Sequence, residues 1–354
     1  MKSKVYFIGA AETKLEPRIS DLEKELKTAD PFSRYQKGEI IPVKLTIGDA
    51  PCIYNVNPEL VRTVVSGIRA GGAKPFLFDT SVIYRGERQN AVDHLALAKN
   101  KGFSYARVGA PFIVADGVFG QDGKEYEIGS ADLPKIKIPS FVGMLDNLVV
   151  LSHVTGHIVS RYAGAIKNVA MGMACRPTKL AQHHTITPSV RAEACTACGR
   201  CIAICPVKAI SFVKGKAHID KETCIGCGEC LCACKFNAIS IDWTIEPAVF
   251  CRRMVDVASF ILSKFKKAFF VTFAFDITEE CDCISTEDDK MVAGNIGILA
   301  SSDPVAVDKA AVDLVLEKER DSFFSRDAKL YDSMLKYARD KGLGNTDYDL
   351  VKGC

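Results

Sequence analysis

Two runs of four cysteines with the same spacing constrain this chain more than any other feature. The first run is Cys195, Cys198, Cys201 and Cys205, and the second is Cys224, Cys227, Cys230 and Cys234. Both runs read C-x2-C-x2-C-x3-C, and the match continues into an Ala-Ile-Ser triplet at 209–211 and again at 238–240. A repeat of this kind indicates an internal duplication with two pseudo-symmetric halves.

This spacing is typical of a bacterial ferredoxin-like module that binds two [4Fe–4S] clusters. Two-residue gaps let three thiolates wrap one cluster, whereas the fourth cysteine is carried toward the other half. We therefore expect crossed ligation, with Cys195, Cys198, Cys201 and Cys234 at one cluster and Cys224, Cys227, Cys230 and Cys205 at the other. Zinc fits poorly, because a third cysteine at the same step in both runs does not suit two tetrahedral sites.

Charge and hydropathy exclude several classes of protein. The net charge of +3 over 354 residues gives no reason to expect a nucleic-acid partner. No apolar stretch approaches the ~20 residues of a membrane span, and the N-terminal apolar run is too short for a signal peptide. Fifteen cysteines in such a chain favour metal binding over disulfides. We expect a cytoplasmic protein whose partner is a redox protein or a small-molecule electron donor or acceptor.

Alternating β and α patterns on both sides of the cysteines predict an α/β fold with a mainly parallel sheet covered by helices. Strands are predicted at 5–8, 41–45, 75–79, 105–108, 148–152, 268–275 and 296–300. Helices are predicted at 58–70, 88–101, 246–265, 304–317 and 326–341. The simplest organisation is one discontinuous α/β domain, residues 1–186 and 242–354, interrupted by a small ferredoxin-like α+β module at 187–241.

Polar residues follow several of the predicted strands, at the edge where open parallel sheets bind ligands. His153 and His157 would share one face if their segment were helical. Together with Cys281 and Cys283 they would form a possible third, mononuclear metal site. The alternative is that the histidines orient loops by hydrogen bonding and that one cysteine is buried. We also expect residues 301–303 at this edge. His183 and His184 are a weaker candidate for metal ligation, because adjacent residues rarely bind one ion together, and a hinge role beside the cysteine module is an equal alternative.

A glycine-rich segment at 164–173 supplies further candidates. Lys167 and Asn168 are candidate catalytic or substrate-binding residues, and Lys167, Arg176 and Lys179 are candidate contacts for an anionic group. The alternative is a packing segment with solvated bases. Asp308 and Asp313 are expected to be solvated or to pair with Lys309. Cys232, inside the second run, is expected to be a small apolar residue rather than a ligand.

These motifs resemble an uncharacterised family, the iron–sulfur-centre proteins built on domain of unknown function 362. The resemblance covers nearly the whole chain and rests on residues 152–157, 164–168, 171–172, 281–283, 302–308 and 342–344. Many relatives carry the same two-cluster insertion, so the resemblance implies one α/β domain with an inserted ferredoxin unit. It implies no known substrate.

Three functions are compatible with these residues. The first is an oxidoreductase-like redox protein whose clusters exchange single electrons with a site on the α/β domain. The second is a non-enzymatic electron carrier that docks partner proteins through that domain. The third is a redox sensor or maturation scaffold controlled by cluster occupancy. A closed pocket lined by the histidines, cysteines and lysine would favour the first, because a pure carrier has no need of one.

Overall fold

The computed structural model describes residues 2–10, 15–183, 188–241, 245–320 and 322–352, with the backbone alone at 15–17. His184 lies outside the described residues, as do residue 187, where the predicted cysteine module begins, and residue 242, which directly follows it. Within the described residues, no helix has both the length and the apolar character needed to cross a membrane.

Strands and helices alternate along most of the chain. The strands are β1 (Ser3–Gly9), β2 (Ile40–Lys44), β3 (Lys74–Asp79), β4 (Phe112–Val114), β5 (Lys124–Glu127), β6 (Lys135–Ile138), β7 (Asn147–His153), β8 (Thr155–His157), β9 (Arg161–Ala163), β10 (Ser189–Val190), β11 (Ile210–Val213), β12 (Lys216–Ile219), β13 (Ile239–Ser240), β14 (Lys267–Ala274), β15 (Ile277–Thr278), β16 (Met291–Ala293), β17 (Gly297–Ser301) and β18 (Tyr348–Lys352). The helices are α1 (Leu15–Ala29), α2 (Pro58–Ala70), α3 (Ala91–Asn100), α4 (Tyr105–Val108), α5 (Ala165–Gly172), α6 (Arg176–His183), α7 (Arg200–Ile204), α8 (Glu229–Ala233), α9 (Pro247–Leu262), α10 (Pro304–Lys318), α11 (Phe323–Arg326) and α12 (Ala328–Asp340).

An eight-stranded sheet organises the fold, in the order β18-β1-β17-β14-β7-β2-β3-β4. Every neighbouring pair is parallel except the two that involve β17, which runs antiparallel to β1 and to β14. The predicted α/β class with a mainly parallel sheet is therefore confirmed. The direction of β17 also means that its end, residues 301–303, lies at the opposite edge from the ends of β2, β3 and β7. The prediction that these residues share the ligand-binding edge is wrong.

Helices cover both faces of the sheet because its strands are apolar on both sides. In β7, Leu148 and Val150 belong to one buried cluster, and Val149 and Leu151 belong to the other. The first cluster includes buried side chains of α5, α9, α10 and α12. The second includes side chains of α1, α2 and α3. The sheet thus forms the middle layer of three, and its strand ends are free to support a site.

One predicted strand is wrong. Residues 105–108 form the single-turn helix α4, which ends at Gly109 in the left-handed region at φ +80°. The strand that joins the sheet is β4, only three residues long and a few positions later. The prediction failed because a short apolar run such as residues 105–108 fits a strand and a single helical turn equally well.

The segment between α6 and α9 carries the two cysteine runs and repeats its backbone as well as its sequence. Helices α7 and α8 begin after Gly199 and Gly228, whose φ angles are +74° and +75°. Lys208 and Asn237 occupy equivalent positions in the two halves and also have similar positive φ angles, +55° and +52°. Two small antiparallel pairs, β11–β12 and β10–β13, complete this segment. The duplication seen in the cysteines therefore extends to the local structure.

Candidate functional site

A pocket of about 190 Å³ opens at the carboxyl-terminal edge of the parallel strands. It is formed where β2, β3 and β7 end, and helices α5 and α6 and the loop after β15 close its sides. Its lining includes many polar or charged side chains: Lys44, Asp79, Tyr84, Arg88, His153, His157, Lys167, Asn168, Lys179, Cys281, Asp282 and Cys283. The rule that ligands bind at this edge of a parallel sheet accounts for its position.

A buried ion cluster forms one wall of the pocket. Lys44 Nζ lies 3.1 Å from Asp79 Oδ1, and Arg88 Nη1 lies 3.4 Å from Asp79 Oδ2. Lys44 also donates to Asn168 Oδ1 at 2.7 Å, and Arg88 donates to the Tyr84 hydroxyl at 2.6 Å. Burial disfavours the charged carboxylate, but the positive charges of Lys44 and Arg88 prevail and lower the pKa of Asp79 to about 2. The Asp79 carboxylate is therefore ionised, whereas burial lowers the pKa of Lys44 against the attraction of that carboxylate.

We expect Gly172→Ala to disturb this wall. A Cβ at Gly172 would lie 2.2 Å from Lys44 Cε and 2.3 Å from its Nζ, and Lys44 is fully buried. The lysine would have to leave Asp79, so the free energy of unfolding should fall by about 2 kcal/mol, the scale of a buried charge that loses its hydrogen bonds. Urea unfolding measures this change.

Gly71→Ala is the matched control, because its added Cβ would meet nothing nearer than 3.7 Å. Equal unfolding midpoints for the two variants would show that Lys44 adapts without loss.

The two predicted histidines lie in the pocket wall on strands, not on one helical face. His153 ends β7, where its Nδ1 lies 2.8 Å from Asp282 Oδ1 and its Nε2 lies 2.6 Å from the Phe275 carbonyl. Burial opposes its protonation, but Asp282 outweighs burial and raises the pKa of His153. Since both ring nitrogens are engaged, the geometry fits the loop-orienting alternative better than metal ligation.

His157, at the end of β8, is neutral. Its Nδ1 accepts from the backbone N–H of Ser160 at 3.0 Å, and its ring stacks on Phe250 with centroids 5.6 Å apart. Burial holds the pKa of His157 well below its usual range. Among the described residues, no three His, Cys, Asp or Glu side chains converge closely enough to hold a single metal ion.

Cys281 and Cys283 face each other across a tight turn in the pocket wall. The turn is closed by the N–H of Ile284, which donates to the Cys281 carbonyl at 2.9 Å. Interaction with the Cys281 thiol holds the pKa of Cys283 well below its usual range, and the charges of Lys167 and Arg88 act in the same direction. Burial opposes the charge of Lys167, but the two cysteines prevail and raise its pKa. The site therefore stabilises a thiolate next to a thiol.

Lys167 and Asn168 reach the pocket because a buried carboxylate caps the helix that carries them. Asp308 Oδ1 accepts from the Ala165 N–H at 2.7 Å, and its Oδ2 accepts from the Ile166 N–H at 2.9 Å. Its side chain also accepts from the Tyr162 hydroxyl at 3.1 Å. The prediction that Asp308 and Asp313 are solvated or pair with Lys309 is wrong for Asp308, which is buried, and is confirmed for Asp313, which forms an ion pair with Lys309.

Two smaller cavities lie within the cysteine segment, and each is lined by four cysteines. The first cysteine cavity is lined by Cys195, Cys198, Cys201 and Cys234. The second cysteine cavity is lined by Cys205, Cys224, Cys227 and Cys230. These sets are the two that crossed ligation requires, with one cysteine exchanged between the halves.

The donors of the two cavities fit a group larger than one ion. Backbone N–H groups already approach the sulfurs in equivalent positions: Ala209 N lies 3.3 Å from Cys205 Sγ, and Ala238 N lies 3.2 Å from Cys234 Sγ. Such N–H···S contacts are typical around iron–sulfur clusters, where they tune the potential. Four thiols spread around a cavity, without three converging at one point, suit a cluster in which each iron takes its own cysteine.

Helix α6 connects the second cysteine cavity to the pocket. At its start Arg176 is fully buried and contacts the Glu229 carboxylate, the Gly228 carbonyl and Cys232 Sγ. One turn later Lys179 lines the pocket, where its Nζ donates to the Thr80 carbonyl at 3.1 Å. Of the three predicted anion contacts, Lys167 and Lys179 therefore line the pocket, whereas Arg176 points to the cysteine segment.

A second connection between the cysteine segment and the pocket is apolar. Ile83, Leu180 and Ile241 form a small buried cluster, and Tyr84 and Leu231 pack against it. Leu231 lies in α8 between two cysteines of the second run, and Tyr84 lines the pocket. One continuous layer of side chains thus separates the second cysteine cavity from the pocket.

Comparison with known proteins gives the family of the chain. Residues 41–313 match the family described as Domain of unknown function (DUF362), which is well over half of the chain. The chain belongs to the DUF362 family. The matched region contains the pocket residues named above and both cysteine runs. No curated protein matches this DUF362 chain.

Two solved structures are similar to the DUF362 chain in overall shape. A protein from Thermotoga maritima is 11% identical with a TM-score of 0.44, over 94% of this chain and 60% of that one. The lactate racemase apoprotein from Thermoanaerobacterium thermosaccharolyticum is 12% identical with a TM-score of 0.43, over 90% of this chain and 58% of that one. The DUF362 chain therefore spans about three fifths of the length of these proteins.

Sequence reasoning did not single out three important residues of this DUF362 site. Lys44 and Asp79 end β2 and β3, and Tyr84 follows β3. A charged residue that ends an otherwise apolar strand was the available signal. Arg88 and His94 both approach Asp79, and burial lowers the pKa of His94 to about 3.

Proposed function

We propose that this chain is an iron–sulfur oxidoreductase in which two [4Fe–4S] clusters exchange single electrons with the pocket at the edge of the α/β sheet. The observation that carries the proposal is the connection of a four-cysteine cavity to a buried polar pocket through α6. An electron carrier needs no such pocket, so the pocket favours an enzyme. The clusters would supply one-electron chemistry, and the substrate stays unidentified.

The positions of the cavities support a direction for electron flow. The first cysteine cavity lies near the surface, because Cys198 and its neighbours Ala197 and Arg200 are exposed. The second cavity lies against α6 and the pocket. We propose that a redox protein or a small-molecule donor or acceptor exchanges electrons at the first cavity and that the second faces the substrate.

The side chains of the pocket support an anionic substrate. The basic side chains of its walls, Lys44, Arg88, Lys167 and Lys179, outnumber the negative groups of Asp79, Asp282 and Cys283 by one. Burial lowers the pKa of Lys44 and brings the pKa of Lys179 to about 8, so Arg88 and Lys167 are the cations that keep their charge most firmly. Cationic groups held at low exposure attract an anion strongly because solvent does not screen them. Lys167 and Asn168 of α5 line the pocket, and we propose that they contact the substrate. His157 lines the same pocket as a neutral imidazole.

Metal and sulfide analysis after anaerobic purification tests the proposal. We expect about eight iron and eight sulfide per chain, the content of two four-iron clusters, and a visible absorption that dithionite bleaches. Cys198→Ser should lose about half of the iron. Cys232→Ser is the matched control, because this cysteine lies in the second run but outside both cavities, and it should keep the full iron content. Zinc without acid-labile sulfide would refute the cluster assignment.

A further inference from the structure

The pair Cys281 and Cys283 has a chemistry that neither the clusters nor an anion site explains. Both side chains line the pocket, both are free thiols, and they face each other within one turn. A buried pair of sulfurs in contact can form a bond without rearrangement of the surrounding fold, whereas distant cysteines cannot.

The surroundings of the pair are those of a reactive dithiol rather than of a metal site. Lys167 and Arg88 place two positive charges next to the sulfurs, which favours a thiolate, the form that attacks a disulfide. His153 lies in the same wall, and both of its ring nitrogens are already hydrogen-bonded. Two thiols alone leave a tetrahedral metal ion without half of its ligands.

The pair also lies where electrons from the second cysteine cavity would arrive. Tyr84 interacts electrostatically with Cys283 on the pocket side and packs against the Ile83, Leu180 and Ile241 cluster on the other. Leu231, from the helix of the second cysteine run, packs against the same cluster. Side chains in contact through this cluster therefore link the helix of the second cysteine run to the pair.

We propose that Cys281 and Cys283 are a reversible dithiol–disulfide couple that converts one-electron transfer into two-electron chemistry at the pocket. On oxidation the Cys283 thiolate and the Cys281 thiol lose two electrons and one proton and form one S–S bond; reduction reverses each change. The electrons pass in two single steps to or from a one-electron carrier of the iron–sulfur class. The electron transfer to or from an iron–sulfur carrier rests on the proposed function, whereas the formation of the disulfide between Cys281 and Cys283 does not.

Peptide mapping of the holoprotein tests the couple directly. Tryptic peptide 268–290 contains Cys281 and Cys283 and no other cysteine, and peptide 236–252 contains only Cys251. The purified protein is equilibrated with mixtures of oxidised and reduced dithiothreitol, quenched, unfolded and alkylated with N-ethylmaleimide. We expect peptide 268–290 to pass from two labels to none as the mixture becomes oxidising. The buried Cys251 peptide, as internal control, should carry one label throughout.

Reductive titration tests the link to the clusters. Oxidised wild-type protein should accept about two more electrons per chain than Cys283→Ser, whose clusters should be unchanged by their visible spectrum. Two labels on peptide 268–290 in every mixture would overturn the couple even if iron and sulfide were present, and so would a stoichiometric metal lost in Cys283→Ser. A disulfide that forms in dithiothreitol but takes no electrons from the reduced clusters would overturn the electron-transfer role alone.

Discussion

Replacement of Arg176 by methionine is expected to lower the free energy of unfolding by about 3–5 kcal/mol, the range for breaking a buried ion pair from one side. The guanidinium is 1% exposed and makes its contacts across the boundary between α6 and the cysteine segment. Methionine keeps much of the volume but none of the charge. The Glu229 carboxylate would then be half-buried without its cation, and the Gly228 carbonyl would lose a donor.

The pH dependence of this loss follows from Glu229. Burial raises the pKa of Glu229, and Arg176 acts in the opposite direction. Without Arg176 the pKa rises further, so the carboxyl of the folded variant binds a proton more readily as the pH falls. The instability of Arg176→Met should therefore shrink toward low pH, because a neutral Glu229 no longer needs a cation.

Urea unfolding under anaerobic conditions measures these effects, and a double variant isolates the pair. Arg176→Met combined with Glu229→Gln should recover a large part of the loss, since neither charge is then left unpaired. Arg252→Met is the control, because its ion pair with Asp132 is well exposed and should contribute less than about 1 kcal/mol. A double variant as unstable as the single one would show that Arg176 acts through packing alone.

Asp308→Ala is expected to destabilise the protein by a similar amount, about 3–5 kcal/mol. It would leave the N–H groups of Ala165 and Ile166 and the Tyr162 hydroxyl buried without their acceptor, and each unsatisfied group costs about 1–3 kcal/mol. The helix α5 that carries Lys167 and Asn168 would lose its N-terminal cap. Asp332→Ala, at an exposed position of α12, should change the stability little.

The difference between wild type and Asp308→Ala should depend on pH. Burial raises the pKa of Asp308 from 3.8 to about 6 against the effect of its hydrogen bonds. The folded protein therefore holds this proton more tightly than the unfolded chain does, and wild-type stability falls as the pH rises from about 4 to about 6. Thermal unfolding at both ends of this window should show the larger difference at the acidic end. A difference that grows with pH would contradict this assignment.

Local signals predicted much of the fold. Helix α2 begins where Asn57 and Pro58 indicate, because the Asn57 side chain accepts from the Glu59 N–H at 2.9 Å and proline occupies the first turn. Asp303 caps α10 in the same way. Such caps involve neighbours in sequence, so one sequence is enough to recognise them.

The direction of a strand and the burial of a side chain depend on distant parts of the chain, and both were predicted less well. Strand β17 looks like its parallel neighbours in sequence, and only its pairing with β1 and β14 shows that it runs the other way. Helix α10 is buried on several sides, including Asp308, so its apolar pattern does not show which polar residue points inward. Its partners at 162–166 lie far away in sequence.

For the candidate site, the sequence predicted which residues line the pocket better than it predicted how those residues are arranged. His153, His157, Lys167, Asn168, Cys281 and Cys283 all line one pocket, as the strand-end rule suggests. The roles of the histidines follow from hydrogen bonds to Asp282, Phe275 and Ser160 that no spacing rule contains. The cysteines that line the two smaller cavities are the two sets expected from the spacing, because cysteine spacing is a local property.

The strand order of the sheet has a consequence for folding during synthesis. Strands β2, β3, β4 and β7 are neighbours and are all made before the cysteine segment, so half of the sheet can assemble early. The next neighbour of β7 is β14, which leaves the ribosome only after both cysteine runs. Until then β7 presents an unpaired apolar edge, a template for pairing with another chain. Aggregation of partly synthesised chains should therefore begin at β7, the same strand whose end supplies His153 to the pocket.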